Sequence, residues 1–357
     1  MAMSSRDVRS EQNERYPVLR VEGLKKYFPI RTGVFSRTTG YVKAVDDVSF
    51  DIYPGETFAL VGESGCGKST TGRTILRLQS ATSGNVLFNG EDVFGASPER
   101  MRQLRKKMQI VFQDPYSALN PRMTIGAAIR EIMKVHNVAQ GHELDERVER
   151  TLEICGLQRY HSRRYPHEFS GGQRQRVVIA RALALDPSLI VADEPISALD
   201  VSIQSQIINL LEDLQDQFEL TYLFISHDLS VVKHVADRIG VMYLGKLVEV
   251  ASKHELYRDP LHPYSQALMS AIPVSDPALA KDKKRIILKG DVPSPANPPS
   301  GCPFHTRCPH AMEVCKSVVP PLKATESGRH VACHLVHPPE DVPAAGTTRH
   351  TENTSVV

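Results

Sequence analysis

The sequence predicts an α/β fold in which a largely parallel sheet is covered by helices. Three observations carry that expectation. The apolar run Thr57–Val61 leads into a glycine-rich turn and then a helical pattern beginning near Lys68. A second buried-strand candidate, Ser188–Asp193, follows much later. From there short apolar strands alternate with amphipathic stretches, the arrangement expected when helices cover a parallel sheet.

In chain order, residues 18–60 alternate as strands do, with Val45, Val48, Phe50 and Ile52 leading to a Pro54-Gly55 turn. The helical pattern from Lys68 runs to about Leu78, and Val86–Phe88 then precedes an Asn89-Gly90 hairpin turn. Residues 115–185 read as helical and polar. Residues 201–218 place Ile203, Ile207, Leu210, Leu214 and Phe218 on one helical face. Tyr222–Ser226 is another short strand, and 239–250 a hairpin turning at Gly245-Lys246.

Beyond about residue 255 the character changes. Pro260, Pro263, Pro273 and Pro277 interrupt regular structure, a basic run spans Lys281–Arg285, and Asp291–Ser300 holds four prolines. The expected organisation is a tail over 1–17, a main domain over 18–260 with its helical part at about 115–175, and a linker over 261–300. A cysteine-rich module at 301–337 and a second tail over 338–357 complete it. Both tails are expected to be disordered.

Composition sets bounds. The 357 residues are 41% hydrophobic and 24% charged, as in an ordinary soluble protein. A net charge of +2 gives no electrostatic argument for nucleic acid. No stretch approaches the roughly 18 apolar residues of a spanning helix. The N-terminus lacks the apolar run of a secretory signal. A cytosolic location is therefore expected, where thiols stay reduced.

Gly62-Glu63-Ser64-Gly65-Cys66-Gly67-Lys68-Ser69 fits the phosphate-loop pattern, between a strand and a helix as that pattern requires. Glycines let the backbone curl until its N–H groups face inward, and the helix N-terminus adds positive potential. Gly62, Ser64, Gly65, Cys66, Gly67, Lys68, Ser69 and Thr70 are the candidate phosphate-binding residues, with Lys68 on the β and γ phosphates and Ser69 on Mg²⁺. Cys66 itself reads as a small packing residue. The plainer alternative is a glycine-rich turn. Downstream, Leu189–Asp193 ends in two carboxylates. Asp193 is placed to hold the Mg²⁺ shell and Glu194 to polarise an attacking water, against the alternative of two surface acids.

Phe169-Ser170-Gly171-Gly172-Gln173-Arg174-Gln175-Arg176 resembles the signature motif of ABC ATPases, with Phe169 in place of the commoner leucine. Further landmarks follow the same family in order. Gln113 in Val-Phe-Gln-Asp resembles the Q-loop, Ser197-Ala198-Leu199-Asp200 the D-loop, and His227 in Ile-Ser-His-Asp the switch histidine. Tyr27 falls where the family sets an aromatic against adenine.

The resemblance spans about residues 18–260. It implies an ABC-type P-loop NTPase with a RecA-like core, an antiparallel β-subdomain and a helical subdomain. It further implies Gln113 coupled to Mg²⁺, catalytic roles for Glu194 and His227, and a second ATPase chain. Ser170, Gly171, Gly172 and Gln173 of one chain would face ATP held by the other, with Asp200 at their interface. The helical part around 115–170 would dock membrane partners, or serve simply as a packing layer.

Gly40-Tyr41-Val42-Lys43-Ala44-Val45-Asp46 after an insertion, His262-Pro263-Tyr264, and Cys302-Pro303-Phe304-His305-Thr306-Arg307-Cys308 are similar to segments of bacterial dipeptide and oligopeptide importer ATPases. That branch implies two permease chains and an extracytoplasmic peptide-binding protein, with this chain peripheral on the cytoplasmic face of the inner membrane. Importers of nickel or glutathione share much of the pattern. A soluble ABC-type ATPase acting on ribosomes or DNA is the alternative from another class. Against it, no coiled coil separates the phosphate loop from the signature, and one cassette is present, not two.

Five, six and seventeen residues separate Cys302, Cys308, Cys315 and Cys333. Four thiols in a short proline-rich segment suggest a zinc ion or an iron–sulfur cluster, or else free thiols. His305, His310, His330 and His334 allow mixed zinc ligation. Resemblance to some peptide-importer ATPases favours a [4Fe–4S] cluster over Zn²⁺.

Overall fold

Buried strands and capped helices alternate through residues 16–33, 36–273 and 285–338, which the computed structural model describes. The expected tails fall almost entirely outside these residues, as do Pro277 and Lys281–Lys284 of the basic run.

Near the N-terminus, β1 (Leu19–Thr32) and β2 (Arg37–Ile52) pair antiparallel. With β4 (Ser83–Phe88) and β5 (Glu91–Asp92) they form a four-stranded sheet in the order β2-β1-β4-β5. The main sheet has eight strands, ordered β11-β12-β10-β9-β3-β8-β7-β6. Its centre is β3 (Thr57–Val61), parallel to both β8 (Thr221–Ile225) and β9 (Arg238–Tyr243). Outside β8 lie β7 (Leu189–Asp193) and β6 (Met108–Val111), also parallel. β3, β7 and β8 are buried at every residue, which explains why they read as continuous apolar runs.

Local chemistry sets the helix ends. Helix α1 (Lys68–Ile75) starts from left-handed Gly67, and stops short of the expected Leu78. Ser97 caps α2 (Pro98–Lys107), with proline in its first turn. Thr124 caps α3 (Ile125–Val135), which packs with α4 (Gly141–Ile154) and α5 (Gly171–Leu183) in the helical layer. Helix α6 (Val201–Phe218) buries Ile207, Leu210, Leu211 and Leu214. Its apolar stripe is thus shifted from the expected one, with Phe218 left 36% exposed. Asp228 caps the short α7 (Leu229–Val235).

Two cores result. One fills the space between the four-stranded sheet and one face of the main sheet, centred on Val21, Leu24, Ile52, Phe58 and Ile75. The other lies between the opposite face and the helices, and includes Ile129, Leu152, Ile179, Ile190 and Phe224.

The C-terminal region departs from expectation. Pro263 does not break structure; it opens α9 (Pro263–Ser270), which follows α8 (Lys253–Arg258). The strand β10 (Lys246–Ser252) pairs antiparallel with both β9 and β12 (His330–Val331), and β11 (Lys323–Ala324) pairs with β12. Phe304 is fully buried among Tyr243, Tyr264 and His262. Cys302 and Cys315, the latter on α10 (Glu313–Ser317), belong to the same core as the helical layer.

A separate cysteine-rich module is therefore not what residues 301–337 form. They extend the main sheet and share its core, because one large aromatic side chain and two short edge strands give them somewhere to bury apolar surface.

Candidate nucleotide site

Ligands of open parallel sheets gather at the carboxyl ends of the strands, and four strand ends meet that condition here. β3 runs into Gly62, β6 is followed by Gln113, β7 ends at Asp193 and is followed by Glu194, and β8 is followed by Ser226 and His227.

The loop after β3 requires glycine for two reasons. Gly62 and Gly67 sit at φ 148° and 107°, and a Cβ on either would lie 2.1 Å from the Met242 carbonyl oxygen or 2.0 Å from that of Ala44. Neighbouring backbone thus walls the loop on two sides. The Gly245 N–H adds a brace, donating to the Cys66 carbonyl at 2.9 Å. Ser64 and Gly65 are exposed at the tip, while Lys68 is 4% exposed. Lys68 Nζ donates to the carbonyls of Gly62 at 2.8 Å and Glu63 at 3.1 Å, folding its charge over the loop. The Cys66 N–H donates to the Glu63 carbonyl at 3.2 Å. Burial pushes the Cys66 thiol pKa up, as suits a packing residue.

The carboxylates lie beside this loop. Ser69 Oγ donates to Asp193 Oδ1 at 2.6 Å, and Arg73 Nη2 reaches Asp193 Oδ2 at 3.2 Å. A hydroxyl and a buried carboxylate in contact at a helix N-terminus, next to a glycine cradle, suit Mg²⁺ carried on a nucleotide triphosphate. Glu194 takes a left-handed backbone, φ 48°, with its N–H on the Ile225 carbonyl at 3.0 Å. That turn aims its side chain away from the strand, where Gln113 Nε2 donates to Oε2 at 2.9 Å and His227 Nδ1 lies 3.1 Å from Oε1. Three residues singled out in the sequence therefore form one cluster.

Tyr27 lies opposite Lys43 in the β1–β2 register, and Lys43 Nζ stands 5.8 Å from its ring centroid. Ala44, next in sequence, supplies the carbonyl packed against Gly67, so the β1–β2 pair carries Tyr27 to the flank of the loop. The Tyr27 hydroxyl donates to Asp46, and burial with that contact raises its pKa. Asp46 also pairs with Lys246 at 2.9 Å.

The signature residues stand apart from this cluster. The Ser170 side chain accepts from the Gln173 N–H at 3.3 Å, and Gln173 Oε1 accepts from the Ser170 N–H at 3.1 Å, closing a capping box. Ser170 and Gly171 are exposed, and Asp200 is exposed at the start of α6. Gly172 packs against Ile203, where an added Cβ would come within 2.5 Å.

Burial raises the thiol pKa of Cys308, Cys333 and Cys302, the last pushed up to about 12, and neighbouring cysteines add to each shift. Yet no group of three or more His, Cys, Asp or Glu among the described residues is arranged to hold a metal ion. The expected closed set of Cys302, Cys308, Cys315 and Cys333 is not met in this arrangement. Cys302 and Cys315 face the apolar core, and burial of Cys302 favours its neutral thiol.

Comparison with known proteins decides the family. Residues 45–197 match the family described as ABC transporter, and residues 248–315 that described as oligopeptide/dipeptide transporter, C-terminal region. The oligopeptide transport ATP-binding protein AppF of Bacillus subtilis is 57% identical over 319 residues, covering 89% of this chain and 97% of AppF. The chain belongs to the family of oligopeptide-transport ATP-binding proteins of ABC transporters.

YkfD of Bacillus subtilis is similar to this ABC ATPase at 54% identity, covering 90% of this chain and 96% of its own. Among solved structures, the ATP-binding cassette MJ0796, a dimer in a post-hydrolysis state bound to ADP and Pi, aligns with a TM-score of 0.59 at 27% identity. That alignment covers 66% of this chain and 98% of MJ0796. CbiO1 of Clostridium perfringens, part of the ABC transporter complex CbiONQ, aligns at 0.57 with 26% identity, over 68% and 91% of the two chains. As an ABC ATPase the chain uses ATP with Mg²⁺.

Three contacts of this ATPase were not anticipated from the sequence. Arg73 reaches Asp193, one helical turn on from Ser69, a spacing that could have revealed it. Lys246 pairs with Asp46 behind Tyr27, and Arg307 reaches Glu63 in the phosphate loop at 2.9 Å. The last two join distant parts of the chain and leave no local sequence signal.

Proposed function

We propose that the chain is the ATP-hydrolysing motor of an importer for short peptides. It works as one half of an ATPase dimer, homo- or heteromeric, on the cytoplasmic face of the inner membrane, beneath two permease chains fed by an extracytoplasmic peptide-binding protein. No helix among the described residues is long and apolar enough to cross a membrane, in keeping with a peripheral subunit. Likeness to AppF supports peptides as the cargo.

The single observation that carries the motor reading is Glu194 held between Gln113 and His227 beside the Ser69–Asp193 contact. Lys68 and the amides of Gly62–Thr70 hold the phosphates, and Tyr27 meets the adenine. Ser69 and Asp193, with Gln113, would hold Mg²⁺, which would supply positive charge against the negative charge developing on the phosphates. Glu194 accepts a proton from the attacking water while His227 orients it. The water oxygen bonds to the γ-phosphorus as the bond to the bridging oxygen breaks, leaving ADP and phosphate.

Ser170, Gly171 and Gly172 present free N–H groups and a helix dipole to an anion outside the chain. The γ-phosphate on a partner chain answers that description, with Gln173 and Asp200 beside it. ATP thereby closes the dimer and hydrolysis releases it. Uptake of labelled di- to pentapeptides by vesicles holding the complete complex tests this reading. ATP-dependent uptake abolished by Glu194→Gln is expected; recovery of the chain with ribosomes or DNA, and no uptake, would overturn it.

A second reading concerns the cysteines. Cys302, Cys308 and Cys315 lie at one core, and with Cys333 they would supply the thiolates of a shared [4Fe–4S] or Zn²⁺ centre. Iron, sulfide and zinc analysis after anaerobic purification tests it, and metal-free protein rejects it.

A further inference from the structure

We propose that Arg307 is a positioning residue of the phosphate loop, so that the segment between Cys302 and Cys308 sets the affinity of this chain's own site for MgATP. The proposal rests on the nucleotide-site reading above and goes beyond it.

The phosphate loop carries a carboxylate, Glu63, directly after Gly62. A negative charge there opposes the binding of a polyanion at close range. In this chain it is matched by a cation from 244 residues away. Arg307 Nη1 lies 2.9 Å from Glu63 Oε2 and Nη2 3.2 Å from Oε1, a two-pronged pairing of guanidinium and carboxylate. The Arg307 side chain is 8% exposed and that of Glu63 29%. Solvent therefore screens the pair less than it would a surface pair.

Arg307 is also held in place independently of Glu63. Its N–H donates to the Phe304 carbonyl at 3.0 Å, and its guanidinium lies 5.9 Å from the centre of the Tyr243 ring. Tyr243 in turn packs against Tyr264 at 4.7 Å and Phe304 at 5.2 Å between ring centroids. The cation thus rests on an aromatic wall belonging to the core.

The same wall grips the loop backbone. The Glu63 N–H donates to the Tyr264 hydroxyl at 3.0 Å, and the Glu63 carbonyl accepts from Lys68 Nζ at 3.1 Å. Glu63 is held by its side chain and its N–H from the C-terminal half, while its carbonyl sits on the lysine that meets the phosphates. The preceding stretch adds a contact on the base side, where the Lys43 N–H donates to the Pro295 carbonyl at 3.0 Å across from Tyr27.

A merely structural staple and an electrostatic positioning role give different mutant patterns. If the pair only braces the fold, removing either partner does the same harm. If Arg307 neutralises and aims Glu63, removing the cation alone is harmful, and removing the carboxylate as well repairs the damage.

The test is MgATP binding by calorimetry, with steady-state ATPase kinetics, on the full-length purified protein. Arg307→Ala is expected to raise Kd and KM for MgATP about tenfold with kcat within about twofold. Arg307→Lys, which keeps the charge but not the fork, should raise them about threefold. Glu63→Gln in the Arg307→Ala background should return Kd to within about threefold of the parent.

Unchanged MgATP affinity in Arg307→Ala, or failure of Glu63→Gln to repair it, overturns the proposal. Absence of MgATP binding by the parent protein would instead remove the nucleotide-site reading. Should Arg307→Ala fail to fold, Arg307→Lys with and without Glu63→Gln decides the matter: repair supports the proposal and its absence contradicts it.

Discussion

Ser69 Oγ donates to Asp193 Oδ1 at 2.6 Å, joining the first turn of α1 to the end of β7 across 124 residues. The two strands behind these residues, β3 and β7, are not neighbours; β8 lies between them. The contact exists because a helix leaving the central strand and a carboxylate leaving the next strand but one converge at the same edge of a twisted parallel sheet. That edge also holds Glu194, Gln113 and His227. The catalytic chemistry proposed for the chain follows from this convergence.

Substitution of Gly67 by alanine tests the loop. An added methyl would meet the Ala44 carbonyl at 2.0 Å on a backbone with φ 107°. Both the loop and β2 would have to give way. We expect Gly67→Ala to weaken MgATP binding at least about tenfold by calorimetry, through roughly 1–3 kcal/mol of backbone strain. Binding at parental affinity would show that the loop is not walled as described.

Phe304 tests the placement of the C-terminal region. The ring is fully buried among Tyr243, Tyr264 and His262. Phe304→Ala should destabilise the chain by about 3–5 kcal/mol, lost transfer energy and cavity together. The apparent melting temperature of the whole protein, ATPase core included, is expected to fall in one transition. A second, independent transition for the C-terminal residues would mean they fold as a separate unit.

His262 gives the region a pH dependence. It is buried beneath Phe304 with Nδ1 accepting from the Tyr264 N–H at 3.0 Å, and burial lowers its pKa to about 3. In the unfolded chain it titrates near 6.5. Between those values the unfolded state binds the extra proton, so this residue's contribution to stability falls as pH falls. The loss is about 1.4 kcal/mol per pH unit below roughly 6.5. His262→Asn keeps a capping acceptor but cannot titrate. Denaturant midpoints from pH 7 to 5 should therefore fall more steeply for the parent than for the variant, by about 2 kcal/mol at pH 5. Parallel slopes would contradict a neutral buried His262.

Much of the site was legible in the sequence because its residues sit in short motifs at strand ends. Gly62–Ser69, Asp193-Glu194 and His227 each follow an apolar run, and the structure brings Glu194, Gln113 and His227 together. The parallel sheet was legible for the same reason, since strands buried on both faces read as unbroken apolar segments.

The C-terminal region was not legible. Its strands β11 and β12 are two residues long, too short for any periodicity, and its tie to the core rests largely on one aromatic, Phe304. Proline and cysteine content suggested a self-contained module, whereas burial against Tyr243 and Tyr264 made it part of the main core. Arg307 was missed because no local pattern announces a partner so far away in sequence.

The central claim is that two chains share each ATP, one offering its glycine loop and the other its Ser170–Gly172 helix tip. Sedimentation of Glu194→Gln with and without MgATP tests it most directly, with Gly171→Asp in the same background as the second arm. The expected result is a monomer that becomes a dimer only with MgATP, and a doubly substituted chain that stays monomeric. Bound MgATP on a chain that remains monomeric at every concentration, or dimerisation indifferent to Gly171→Asp, would contradict the account.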